Sequence, residues 1–148
     1  MIENFYNALA DALRADPTLV TLTEHTVSDF RIVRGPIPRE AEYPTLAFED
    51  LQTTPTFSDA VTAQKDTVVS LQAASKDIAT AVRIADRLDV LLTKETTAQN
   101  VQYFNITNAT VKNNWTYWRS RGNPVLDEDK DVWEVTTVAD FSWHLTSP

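Results

Sequence analysis

The sequence contains no cysteine. That excludes disulfides, thiolate metal sites and a cysteine nucleophile. Glycine is scarce: Gly35 and Gly122 are the two in 148 residues, where average usage gives about ten. They stand alone, so neither common glycine-rich phosphate loop is present. Two histidines, His25 and His144, are too few for a three-histidine zinc site within one chain. Basic residues are also short, with 13 Lys and Arg against 21 Asp and Glu, a formal charge of −8. A general nucleic-acid binder needs a basic face, which this balance opposes. No run approaches about 18 apolar residues, so no membrane span is expected. The opening MIENFYNALADALRAD holds acids and no basic n-region, and is not expected to be a signal peptide.

What is present points to a single α+β domain over 1–148. Ile2, Phe5, Tyr6, Leu9, Ala12 and Leu13 fall on one arc of a helix over 2–15, opposite Glu3, Asn4, Asn7, Asp11 and Arg14. Pro17 closes that helix. Residues 18–28 are weakly patterned. Phe30, Ile32 and Val33 suggest a short strand, broken by Arg34-Gly35-Pro36-Ile37-Pro38-Arg39. Tyr43 to Phe48 reads as a second strand with Pro44 near its start. The threonine-rich stretch 50–64 reads as a mobile loop. Alternation from Thr67 to Ala73 predicts a third, buried strand. Ser75 is a plausible N-cap for a second helix, with Asp77 in its first turn and Lys94 near its end. Its apolar face is Ile78, Ala81, Val82, Ala85, Leu88 and Leu92, widened by Ile84 and Leu91. Val101 to Val111 is read as a fourth strand. The last is the clearest: Trp133, Val135, Thr137, Ala139, Phe141, Trp143 and Leu145 alternate with Glu134, Thr136, Asp140, Ser142 and His144. The expected order is α-β-β-β-α-β-β, a mainly antiparallel sheet with two helices on one face.

The residues assemble no catalytic, cofactor or metal set. Asp127, Asp129 and Asp131 imitate the opening of an EF-hand loop. Val132 and Val138 stand where that loop needs its glycine and bidentate glutamate, so the run reads as a solvated acidic loop. Ser142 and His144 share a strand face without the nucleophile turn or oxyanion hole of a hydrolase. Asn105, Asn108 and Asn114 match the glycosylation pattern by coincidence in an Asn/Thr-rich stretch. Trp115, Tyr117, Trp118, Arg119 and Arg121 interleave aromatics with positive charge. Single-strand binders use such mixtures, and so do protein hot spots. The acids that follow would repel phosphates, which favours a protein interface, with an ordinary strand–loop edge as the third reading. Arg31, Arg34 and Arg39 form a basic cluster around the prolines. If it lies on a different edge from Asp127, Asp129 and Asp131, copies can meet head to tail and close into a ring.

Four stretches together resemble the tail-terminator (tail completion) proteins of long-tailed bacteriophages. They are MIENFYNALADALRADPTL, the Pro-bearing EYPTLAFED, the strand-to-helix TVVSLQAASKDIATAVRIADRLDVLL, and the closing DVWEVTTVADFSWHL. The likeness spans nearly the whole chain in order. It lies in element order and residue type, without a signature motif; the 50–64 and 112–131 segments depart from it. It implies a non-enzymatic virion protein at the head-proximal end of the tail, assembled in the host cytoplasm. Such a protein forms a homohexameric ring on the last ring of tail tube protein, stops tube growth and offers its other face to neck or head-completion proteins. DNA would only pass through the lumen, with no cofactor and no membrane. A head–tail connector or neck protein is the neighbouring alternative, and a small hydrolase or ligand-binding domain the more distant one. On this reading the 2–15 helix with Val69, Leu71, Phe141 and Trp143 forms the core. The loops at 34–42, 50–64 and 112–131 make subunit or tube contacts.

Overall fold

The computed structural model describes residues 2–38, 40–55, 64–93 and 104–146. The first helix, α1 (Ile2–Arg14), buries Phe5, Tyr6, Leu9 and Leu13 along the stripe its sequence predicts. Asp-Pro then both ends it and begins another. Asp16 takes an extended conformation and its carboxylate accepts the Leu19 amide at 3.0 Å, while Pro17 occupies the first helical turn of α2 (Pro17–Thr23). Proline suits that position because its missing N–H would be unpaired there anyway. The weakly patterned stretch 18–28 thus holds a short helix over its first part. Two turns are too short to display a helical period.

Six strands follow. They are β1 (Ile32–Arg34), β2 (Thr45–Pro55), β3 (Lys65–Ser75), β4 (Val111–Arg121), β5 (Val125–Asp127) and β6 (Val132–Leu145), with α3 (Ile78–Leu92) between β3 and β4. The sheet order is β1-β2-β3-β6-β4, and β5 also pairs with β6. β1 runs parallel to β2; every other pair is antiparallel. The architecture is therefore α+β in one mixed sheet, with α2 and β5 added to the expected elements.

Three boundaries move from their sequence positions. The 50–64 stretch is not a loop at its start: residues through Pro55 continue β2, with a bulge at Leu51. Residues 56–63 of that expected loop lie outside the described residues. The cap of α3 is Asp77, which accepts the Ala79 amide at 3.2 Å. Ser75 is the last residue of β3, and its hydroxyl accepts the Asp77 amide. Lys94 lies outside the described residues. The fourth strand begins where it was expected to end. Asn105 accepts the Thr107 amide, and Asn108 accepts those of Thr110 and Val111, so these side chains hold 104–110 in turns. β4 then occupies 111–121, part of the segment read as a loop; residues 101–103 lie outside the described residues.

A smaller cluster of Ile37, Ala47, Ala74 and Val132 lies on one sheet face, and the main core lies between the other face and the helices. Phe5 stacks on Trp143 with ring centroids 5.2 Å apart and meets Phe141 edge-on at 5.6 Å. Leu46, Phe48, Val69, Leu71, Ala139, Ile84 and Leu88 complete this cluster. Trp143 donates its indole N–H to Thr67 Oγ1 at 2.9 Å, which satisfies the only polar atom of a fully buried side chain. Arg87 clamps Asp16 through two bonds of 3.0 and 2.6 Å, joining α3 to the start of α2.

Candidate protein-interaction surface

Strand geometry decides where the aromatic and basic residues of β4 go, because successive side chains point to opposite faces. Trp118 lies opposite Ala139 and turns toward the helices, where its indole donates to Asp89 at 2.9 Å. Arg121 takes the same side and reaches Asp86 and Asp89, each at 2.6 Å. Trp115 and Tyr117 lie opposite Ser142 and Asp140 and project from the other face. Bulges at Asn114 and Arg119 keep this alternation out of strict step, and Arg119 pairs with Asp140 at 3.2 Å. The five residues expected to work together therefore divide between two sides of the sheet.

Among the described residues no helix covers the second face; at its β2–β3 end Ile37, Ala41 and Tyr43 pack on Ala47, Ala74 and Val132, and the rest stays open. Along its β4–β5 margin stand Trp115, Tyr117 and Val125, with 38%, 62% and 63% of their surface exposed. Val68 and Val138 lie half-buried further in, among Ser70, Gln72 and Thr136. Glu134 and Asp140 also stand on this face. Burial pushes both carboxyls above the ordinary range, with Asp127 adding to the effect at Glu134 and Asp66 at Asp140, against the opposing pull of Arg119. One oxygen each of Asp66 and Asp140 is buried with no hydrogen-bond partner. Such an oxygen is costly when charged.

Two members of the arginine cluster are paired within the chain. Arg31 is gripped between Asp29 at 2.8 Å and Glu42 at 3.0 Å. Arg34 bonds Glu3 at 2.7 Å and lies 3.7 Å from the centre of the Tyr6 ring. Arg39 lies outside the described residues. The acidic run is the turn between β5 and β6. Asp127 accepts the amides of Asp129 and Lys130, and Asp131 takes the left-handed conformation at φ 54° that returns the chain to β6. Arg31, Asp127 and Asp129 line one cleft of about 870 Å³ together with Glu42, Lys76 and Lys130. Arg31 and the acidic run share this cleft within one copy, while β1 and β5, the strands beside them, lie toward opposite edges of the sheet.

Asp140, Ser142 and His144 alternate along β6 on the uncovered face. Gln64 donates to the buried Ser142 hydroxyl, and His144 bonds Asn114 at 3.1 Å. Among the described residues no hydrogen bond joins Ser142 to His144, and no group of three metal-ligating side chains is found. Sequence reasoning named Trp115 and Tyr117 but missed that Val125 joins them and that Trp118 and Arg121 turn to the other side. The available signal was alternation within 115–121, hidden by the two bulges.

No family model matches the chain, and no curated protein does either. Among solved structures, it is similar in fold to a chain in the virion of a native gene transfer agent particle. The TM-score is 0.58 and the identity 14%, over 91% of this chain and 89% of the other.

Proposed function

We propose that this chain is a structural, non-enzymatic virion protein that closes the tail tube. It assembles as a ring of six on the last tube ring, blocks further addition of tube subunits and presents its far side to the neck or head-completion proteins. The observation that supports a virion role best is the fold shared with a virion chain along about nine-tenths of both sequences. The terminal position rests on the resemblance of the four sequence stretches to tail terminators. The uncovered sheet face, with Trp115 and Tyr117 at its margin, supplies the aromatic anchors that protein contacts favour. The mechanism is occupancy: a bound ring removes the surface on which the next tube subunit would add.

Disrupting the gene in its phage and imaging the particles tests this. Overlong tails or polytubes are the expected result. Normal tails that fail to join heads would overturn the terminator role in favour of a neck protein. Light scattering on the purified chain provides the second measurement. A mass six times the 16.7 kDa of the chain is expected, and a monomer at all concentrations would count against the ring.

A further inference from the structure

One margin of the sheet is closed by a histidine. β1 bonds β2 through the Arg31 carbonyl, which accepts from Leu46, and through the Gly35 amide, which donates to Phe48. By strand alternation Ile32 faces away from β2. Its carbonyl accepts Nε and Nη2 of Arg14 at 3.1 and 2.8 Å. Its amide donates to Nδ1 of His25 at 3.1 Å, and the Arg31 amide donates to the same nitrogen at 3.0 Å. Two side chains thus occupy the positions that a neighbouring strand would take.

We propose that His25 is a proton-operated latch on the β1 edge: neutral, its Nδ1 holds the Arg31 and Ile32 amides, and protonated, it releases them. Both partners are backbone N–H groups and can only donate. Nδ1 therefore accepts, and the ring hydrogen sits on Nε2. Adding a proton places a third N–H where two already point, so both bonds are lost together.

The surroundings keep the latch closed at neutral pH. The imidazole stacks on Phe30 with centroids 5.2 Å apart, and the Arg14 guanidinium lies 4.6 Å from the centre of the same Phe30 ring. The charged groups around it are Arg14 from α1, Glu24 and Asp29 on its own segment, and Arg31 with its partner Glu42. Partial burial first, and then the Arg14 charge, hold the imidazole below the usual histidine range against the pull of Asp29. Acid opens the latch at Ile32. The adjoining turn, in which Thr26 and Asp29 bond each other, carries Val27 at its tip, 94% exposed. A strand edge without its cap is a template for pairing with another strand.

The test is an NMR titration of the full ¹⁵N-labelled chain from pH 8 to 5, following the His25 ring and the Arg31 and Ile32 amides, with hydrogen exchange corrected for its intrinsic pH dependence. The expected result is one shared midpoint below about pH 6.5, with protection of both amides falling about tenfold or more across it. In H25N the amide oxygen stands where Nδ1 stood and accepts at every pH, so this transition disappears. The proposal is overturned if the ring titrates while the two amides neither shift nor lose protection, or if H25N keeps the same transition. The wild-type titration decides the matter even if H25N folds poorly.

Discussion

The two faces of the sheet are made by the same strands and differ in almost everything else. Toward the helices, β6 places Val135, Ala139, Phe141 and Trp143, all fully buried. Away from them it places Glu134, Val138, Asp140 and His144, each only partly covered, while Val132 and Ser142 on the same side are buried, Val132 beneath the segment that carries Ile37. The first face is apolar; the Trp143 indole is matched by Thr67, and the buried Thr137 hydroxyl is the polar atom there without a partner among the described residues. The second holds aromatics in solvent and carboxyl oxygens without partners. A folded chain gains stability from the first and spends some on the second. An uncovered face of that composition fits a contact surface better than a core, which is why the proposed assembly is placed there.

The contrast can be broken from the helix side. Phe5→Ala removes the ring that joins α1 to Phe141 and Trp143, and is expected to cost about 3–5 kcal/mol, read as a lower urea midpoint. Arg87→Ala comes next. It leaves the Asp16 carboxylate, 8% exposed, with neither of its two Arg87 bonds. A loss of about 2 kcal/mol is expected in the same measurement, below the full value for a buried pair because Arg87 is partly solvated.

The uncovered face predicts effects of opposite sign or none. Asp140 has a folded-state pKa raised by burial, so the native state binds its proton more tightly than the unfolded chain does. The contribution of this group to stability therefore falls as pH rises from about 4, the unfolded value, and levels off above the folded one. Asp140→Asn carries no such term. Its stability relative to wild type should rise with pH over that window, as followed by urea melts at several pH values; a pH-independent difference would argue that Asp140 is not desolvated. The smallest stability effect is expected for Tyr117→Ala, within about 0.5 kcal/mol of wild type. The same substitution should weaken the assembled form in light scattering. An unchanged mass would remove this face from the interface.

Much of the scaffold is legible in the order of residues. The α1 stripe and the alternation of β6 appear because each buries one side of one long element, so its period is unbroken. The site is less legible. Alternation in β4 is interrupted at Asn114 and Arg119, and Asn105 and Asn108 draw the backbone of 104–110 out of the ladder. α2 is two turns long and is marked by its Asp-Pro start and by no period. The partners of the charged residues were not legible either: the sequence shows charges, while Asp29, Glu42 and Glu3 are brought to Arg31 and Arg34 only by folding.

By itself, the sequence determined the α+β class, most inward residues of α1, α3 and β6 (Ile78, expected inward at the start of α3, is 40% exposed), and the exclusion of cysteine chemistry. These follow from composition and local periodicity, which need no knowledge of neighbours. Only the tertiary structure decided which face of the sheet stays uncovered, that Trp115 and Trp118 part company across it, that Arg31 is spent on Asp29 and Glu42, and that His25 caps β1. Each depends on contacts between segments distant in the chain, and hydrogen bonding, ion pairing and burial are set by those contacts.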